Sequence, residues 1–249
     1  MKYWVTLSFA LFGALNAHSQ VRFAAGPQVG LNVATAKYTG AEREFNAEPL
    51  TRGAAGGTAS VGWQHWVAQA SVLYAQKGFR LDDDYQDPGP GVRFTRITTK
   101  QTFRLNYLTL PLNVVFAQRA NGQELQVFAG GYVSRLLGGS STYNNSYVLQ
   151  TNVGAQAYDR QGKTDIKAAG ETADPDFNDP NPPLYSKPWD FGVQGGMGYQ
   201  WGGLQVQLSY SRGLTDLFPP YVEDGGFKGP TYKLRTWQLS VAYLFGKRQ

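Results

Sequence analysis

The sequence predicts an all-β protein, an eight-stranded antiparallel transmembrane β-barrel with four long extracellular loops and short periplasmic turns. Three observations lead there. Apolar residues alternate with polar or small ones at period two, long and short connections follow each other in strict turn, and aromatic residues collect where the alternating segments end. Period two places every second side chain on one face of a strand, so each such strand has a greasy face and a polar one. In a soluble barrel the greasy face looks inward, whereas in a membrane barrel it meets lipid. Parity alone leaves both open; connection lengths and aromatic placement favour the membrane.

The last segment alternates most plainly. Trp237, Leu239, Val241, Tyr243 and Phe245 share one parity, and Thr236, Gln238, Ser240 and Ala242 the other. Leu204, Val206, Leu208 and Tyr210 stand likewise against Gln205, Gln207, Ser209 and Ser211. Trp189, Phe191, Val193, Met197, Tyr199 and Trp201 stand against Asp190, Gly192, Gln194, Gly196, Gly198 and Gln200. Strands are expected at 22–34, 53–64, 66–79, 100–118, 123–138, 187–201, 203–213 and 231–245. The connections 35–52, 80–99, 139–186 and 214–230 are long, and those near Gln64-His65, Arg119 to Gly122 and Gly202 are tight. Outer-membrane barrels treat their extracellular and periplasmic ends in this way.

Phe23, Trp63, Trp66, Phe116, Trp201 and Phe245 fall beside the termini or the short turns, and Tyr74, Trp189, Tyr210 and Trp237 toward the long loops, as two interfacial girdles would. Trp237 to Phe245 is nine residues, within the roughly 9 to 11 that a tilted strand needs to cross a bilayer. In the fifth strand Val127 and Val133 take one parity but Phe128 and Tyr132 the other, which leaves its outward face open. Pro27 and Pro111 each remove one ladder hydrogen bond inside a strand, where a bulge is the expected mark.

Residues 1–19 read as a signal peptide and 20–249 as one barrel domain. Lys2 supplies a positive start, Trp4 to Leu15 is apolar but too short for a spanning helix, and Ala17-His18-Ser19 offers small residues before a cut. With no cysteine, disulfides, thiol catalysis, thiolate metal sites and a lipid-bearing N-terminal Cys are excluded. A negative mean hydropathy with 30 Gly suits a turn-rich β protein rather than a helical membrane protein. The net charge of +5 comes from Lys and Arg scattered singly, without a basic helix face, so no nucleic-acid partner is expected.

Several segments resemble the PorT-like outer-membrane β-barrel family of Bacteroidetes, a porin-family barrel domain. They are Leu73-Tyr74-Ala75-Gln76-Lys77-Gly78-Phe79, Leu105-Asn106-Tyr107-Leu108-Thr109-Leu110-Pro111-Leu112 and Val127-Phe128-Ala129-Gly130-Gly131-Tyr132-Val133-Ser134. Asp190 to Tyr199, Ser209 to Asp216 and the closing Val241-Ala242-Tyr243-Leu244-Phe245 extend the likeness over the strands from the third onward. The resemblance implies an outer-membrane barrel with a periplasmic N-terminus, and the founding type is tied to type IX protein secretion. A last strand ending in an aromatic resembles the signal read by the barrel-assembly machinery, although Gly246-Lys247-Arg248-Gln249 follows it here.

No enzyme is expected. His65, the one histidine beyond residue 19, sits in a short turn between Trp63 and Trp66 with no Ser and acid partner implied. There is no triad spacing, no Gly-rich phosphate loop leading into a helix and no zinc motif, so no catalytic, cofactor or metal residue is assigned. Asp82-Asp83-Asp84 with Asp87, and Asp174-Pro175-Asp176-Phe177-Asn178-Asp179, are oxygen-rich enough to suggest Ca²⁺ but lack EF-hand spacing, and solvated loop charge is the default. Eight strands enclose a bore that side chains fill. Gln69, Ser71, Lys77, Tyr107, Thr109, Asn113, Gln194, Gln205, Gln207, Ser209, Gln238 and Ser240 take the lumen parity and can bond across it, so no open diffusion channel is expected. What remains is a structural or surface-binding protein acting through its long loops. The longest, 139–186, carries Tyr143, Tyr147, Tyr158, Phe177 and Tyr185, and its early part alternates enough to lengthen the fifth strand. A soluble periplasmic ligand-binding barrel and a small transport component are the alternatives.

Basic residues gather at the long-loop ends on the lipid-facing parity: Arg80, Arg104, Lys187, Arg212, Lys233 and Arg235. A cation on the lipid face costs about 2 to 4 kcal/mol at the bilayer midplane and almost nothing at the interface. Snorkelling to the headgroups accounts for them without a partner. The sharper reading is contact with anionic groups of lipopolysaccharide, which an Arg fork matches. The expected partners are therefore outer-membrane lipid and lipopolysaccharide, with the chain a monomer and both termini periplasmic.

Overall fold

A computed structural model describes residues 21–39, 44–45, 47–87, 94–151, 154–170, 182–219 and 231–246. The expected signal peptide and the Asp174 to Asp179 cluster lie outside them. The strands are β1 (Arg22–Thr39), β2 (Glu44–Phe45), β3 (Ala47–Trp63), β4 (Trp66–Asp87), β5 (Phe94–Ala117), β6 (Glu124–Thr151), β7 (Gly154–Ala168), β8 (Leu184–Ser186), β9 (Trp189–Trp201), β10 (Leu204–Gly213), β11 (Thr231–Tyr243) and β12 (Phe245–Gly246). β1, β3, β4, β5, β6, β9, β10 and β11 pair antiparallel in that order, and β11 returns to β1, so eight strands close a ring.

The short turns form as their residues dictate. Trp63 faces Trp66 across a two-residue turn in which Gln64 takes φ 52°, and Leu204 faces Trp201 across a turn opened by Gly202 at φ 59°. Neither proline makes a bulge. Pro27 interrupts the ladder between β1 and its neighbours β11 and β12, yet Ala25↔Phe245 and Gln28↔Ala242 keep one register across the gap. Pro111 leaves a like gap between Ala70↔Leu112 and Leu73↔Thr109. A missing donor removes pairing without adding a residue, so the register survives. The register shifts fall at Pro49/Ala54 and Asn106/Tyr107.

The fifth barrel strand, β6, settles its open face. Leu125, Val127, Arg135 and Leu137 point out, while Phe128 and Tyr132 point into the bore. Its neighbour β9 makes room for them with glycine: a β-carbon at Gly196 would stand 2.7 Å from the Phe128 ring, and one at Gly192 would stand 2.5 Å from the Tyr132 ring. The sequence pattern shows the rings but not the hollows that receive them.

β4, β5 and β6 run past the expected strand ends. β9 leaves β6 at Arg135↔Trp189, and β7 takes its place from Gly139↔Ile166 to Thr151↔Gly154. β3 leaves β4 at Ala47↔Leu81. The ring thus continues into a four-stranded sheet, β4-β5-β6-β7, which from Gly139 to Thr151 reaches roughly 40 Å at strand rise. The β6 extension agrees with the alternation that begins at Tyr143, whereas the β4 and β5 extensions read as loop because both faces meet water, and a wet sheet has no apolar parity to detect. Asp84 lies on β4 in this sheet, where Arg96 of β5 holds it, and Asp82 pairs with Lys100 at 3.6 Å.

Candidate functional site

The apolar parity faces outward and the polar parity inward, the reverse of a soluble binding barrel. Val29, Leu31, Val72, Leu110, Val127, Phe191, Leu208, Leu239 and Val241 are all exposed. Within the bore, Gln69 Nε2 donates to Thr58 Oγ1 (3.1 Å) and Gln205 Oε1 (3.2 Å), and Gln207 Nε2 donates to Gln69 Oε1 (3.0 Å). Gln205 Nε2 continues to Gln126 Oε1 (2.9 Å), and Gln194 Nε2 meets Asn113 Oδ1 at 2.7 Å. Of the lumen residues expected from parity, Gln69, Gln205, Gln207, Asn113 and Gln194 thus bond to one another within the bore, joined by Thr58 and Gln126.

Above this layer Lys77 Nζ lies 3.8 Å from Asp190 Oδ2 and 4.7 Å from the Tyr132 ring centre, and the Tyr132 hydroxyl donates to Asp190 Oδ2 at 3.0 Å. Higher still, Phe79, Leu105, Tyr107, Leu136, Leu217 and Leu234 form a buried apolar cluster together with Ile166 of β7. Ser186 of β8 and the Tyr232 hydroxyl bond at 2.5 Å beside it. The long 139–186 connection therefore both projects from the barrel and helps to stopper it. No sequence signal marked Ile166 or Leu217 for this role, because Ile166 is a lone apolar residue in a polar stretch and Leu217 belongs to a connection without period-two alternation.

The six basic candidates divide into groups. Arg212 stands directly opposite Arg235, with Lys233 two residues further along β11. Beneath them Tyr210 faces Trp237, ring centres 4.9 Å apart. On the other side of the barrel Arg80 pairs with Glu48 and Thr102, and Arg104 pairs with Gly78, one diagonal step from Arg80. Lys187 lies outside the strands between β8 and β9, its backbone N–H bonded to Leu217 O. A seventh cation joins them: Arg135 is exposed on β6 and stacks over Trp189 with Cζ 5.6 Å from the ring. It was illegible while the face of β6 stood open.

His65 is held as a turn residue. Its Nδ1 lies 3.0 Å from Ala117 O and its ring stacks on Phe116. Among the described residues no group of three or more His, Cys, Asp or Glu is placed to hold a metal ion. The Asp84 carboxyl, in the projecting sheet, sits below its ordinary range because the Arg96 guanidinium bonds to its charged form.

An outward apolar band, a polar filled bore and alternating long and short connections define an outer-membrane β-barrel. The chain matches the family of the outer membrane protein beta-barrel domain over residues 19–219 and belongs to it, which places it in the bacterial outer membrane. Among solved structures it is similar to Ail, the attachment invasion locus protein of Yersinia pestis, at 9% identity and a TM-score of 0.36, covering 89% of this chain and 98% of that one. Neisserial surface protein A matches at 12% identity and a TM-score of 0.30, covering 88% of this chain and 99% of that one. A Pseudomonas aeruginosa FadL homologue follows at 11% identity, with a TM-score of 0.22 and coverage of 89% and 90%. No curated protein matches the chain.

Proposed function

We propose that this chain is a monomeric, non-enzymatic surface protein of the PorT-like type, with its long connections outside the cell, both termini in the periplasm and a signal peptide over residues 1–19. It binds an extracellular partner through the β4-β5-β6-β7 sheet, and lipopolysaccharide holds it at the basic ends of its strands. The observation that carries this is the contrast between a bore that is bonded across and stoppered and a sheet that continues far past the ring. With the bore filled by the described residues, contact is made on the outside. In the sheet Tyr147 and Tyr158 stack at 4.8 Å and Arg160 lies 6.0 Å from the Tyr143 ring, giving a polar aromatic surface suited to recognition.

The test is surface labelling of intact cells with a cysteine placed at Gln156, on the β6–β7 hairpin, and another at Asn121, in the β5–β6 turn. A membrane-impermeant maleimide should label Gln156→Cys only. Labelling of Asn121→Cys instead would reverse the orientation and remove the reading. The link to protein secretion rests on the family resemblance alone, and deletion of the chain with normal secretion would remove it.

A further inference from the structure

The short-turn end of the bore holds a cup of about 260 Å³, lined by Arg22, Ser60, Val67, Gln123, Gln200 and Leu244 among others, with no carboxylate in its wall among the described residues. Its upper wall is polar and already paired: Gln126 Nε2 donates to Gln200 Oε1 and to Gly122 O, both at 2.8 Å. Among the described residues Arg22 is the one cation in the lining. Its Nη2 donates to Gln64 O at 2.7 Å, while Nη1 is buried with no acceptor. Two glycines let the guanidinium lie across the mouth. A β-carbon at Gly62 would come within 3.1 Å of Nη2, and one at Gly122 (φ +80°) within 3.6 Å.

A guanidinium is a planar fork of donors, and one left half-paired in a partly dry site favours a planar anion that can take the second arm. The volume is slightly below the roughly 300 to 1,000 Å³ usual for ligand pockets. We infer that this cup is a carboxylate-binding site, in which Arg22 pairs with a small organic acid or with the free C-terminus of a peptide whose body rests on Val67 and Leu244. In the orientation proposed above it opens to the periplasm. Binding itself does not depend on that orientation, because a barrel in detergent offers both ends to solvent.

The test is isothermal titration of the detergent-folded chain with hexanoate, with N-acetyl-dialanine and with the C-terminal amide of that dipeptide. Saturable binding of an acid probe is expected at least tenfold tighter than binding of the amide. Hexanoate alone would identify a free acid as the source, and the dipeptide acid alone a chain terminus. R22Q should lower affinity at least tenfold, with R22K between it and the parent. S60L, which fills the cup and leaves Arg22 in place, should abolish binding in a barrel that still shifts on unheated gels, and this arm is independent of how R22Q folds. Binding seen only after removal of residues 247–249 would support the site with the chain's own C-terminal carboxylate as its occupant. Equal binding of acid and amide, unchanged affinity in R22Q, or no binding by either the full chain or the truncated one overturns the assignment.

Discussion

Lys77 Nζ lies 3.8 Å from Asp190 Oδ2, with the two side chains 6% and 0% exposed, midway between the amide layer of the bore and its apolar stopper. The pair joins strands three apart in the ring, since Lys77 comes from β4 and Asp190 from β9. Such a pair is weak evidence of stability as a whole, but breaking it leaves a bare charge in a dry place, typically about 3 to 5 kcal/mol. Lys77→Met should therefore lower the urea midpoint of the folded barrel sharply. The double variant K77M/D190L, which removes both charges, should recover most of the loss. A double variant as unstable as the single one would show that the pair holds the barrel by contacts other than charge.

Bore closure makes its own prediction. Purified protein in planar bilayers should show no steady nanosiemens-scale conductance, because Gln69, Gln205 and Gln207 bond across the ring and Leu217 and Ile166 cover it. Leu217→Ala removes a fully buried side chain from the stopper and should cost about 2 to 5 kcal/mol of stability. The amide layer below it should still keep the bore shut. Steady ohmic current through the unaltered chain would mean that the bore opens in a bilayer.

The projecting sheet should respond locally to acid. Asp84 binds Arg96 across β4 and β5, and its carboxyl is held below the ordinary range, so its contribution is full above the unfolded value and is lost as pH falls through the folded one. Protection of the amides at 82–87 and 94–99, taken relative to the chemical exchange rate, should fall as the pH drops into that range, and Asp84→Asn should lower it to the same level at every pH. The effect is local and modest, because both side chains are open to water. Protection at the tip that is identical in parent and variant at every pH would show that backbone pairing alone maintains it.

The ring was legible in the sequence because lipid on one side and a polar bore on the other impose period two on Trp237 to Phe245, Leu204 to Tyr210 and Trp189 to Trp201. Where that contrast weakens, so does the reading. Phe128 and Tyr132 point inward because Gly196 and Gly192 lie opposite, a fact of pairing between distant segments that no local pattern contains. The β4, β5 and β7 parts of the projecting sheet escaped because water bathes both faces, whereas the alternation from Tyr143 onward did lengthen β6. Ile166 and Leu217 escaped because a stopper needs only a few apolar residues from separate connections. Of the six basic residues, Arg212, Lys233 and Arg235 lie toward the long-loop ends of β10 and β11, Arg80 and Arg104 inside β4 and β5, and Lys187 between strands; the register alone revealed which of them stand together.

That register singles out Arg212 and Arg235. They are cross-strand partners, so two like charges meet at the distance at which they repel, whereas Arg80 has Glu48 beside it. Neither Arg212 nor Arg235 has a carboxylate partner among the described residues. A phosphate between them would turn the repulsion into two charge-assisted bonds, and Tyr210 and Trp237 just below mark the level where headgroups begin. Specific binding predicts that R212Q/R235Q loses most of its co-purifying lipopolysaccharide, that R80Q alone loses little, and that all variants still insert and shift on unheated gels. It further predicts that R212K/R235K retains less lipid than the parent, because an ammonium keeps the charge but not the fork. Equal retention in the parent, Gln and Lys forms would leave snorkelling as the whole explanation. Equal loss from R80Q and R212Q/R235Q would point to general charge around the rim rather than to this pair.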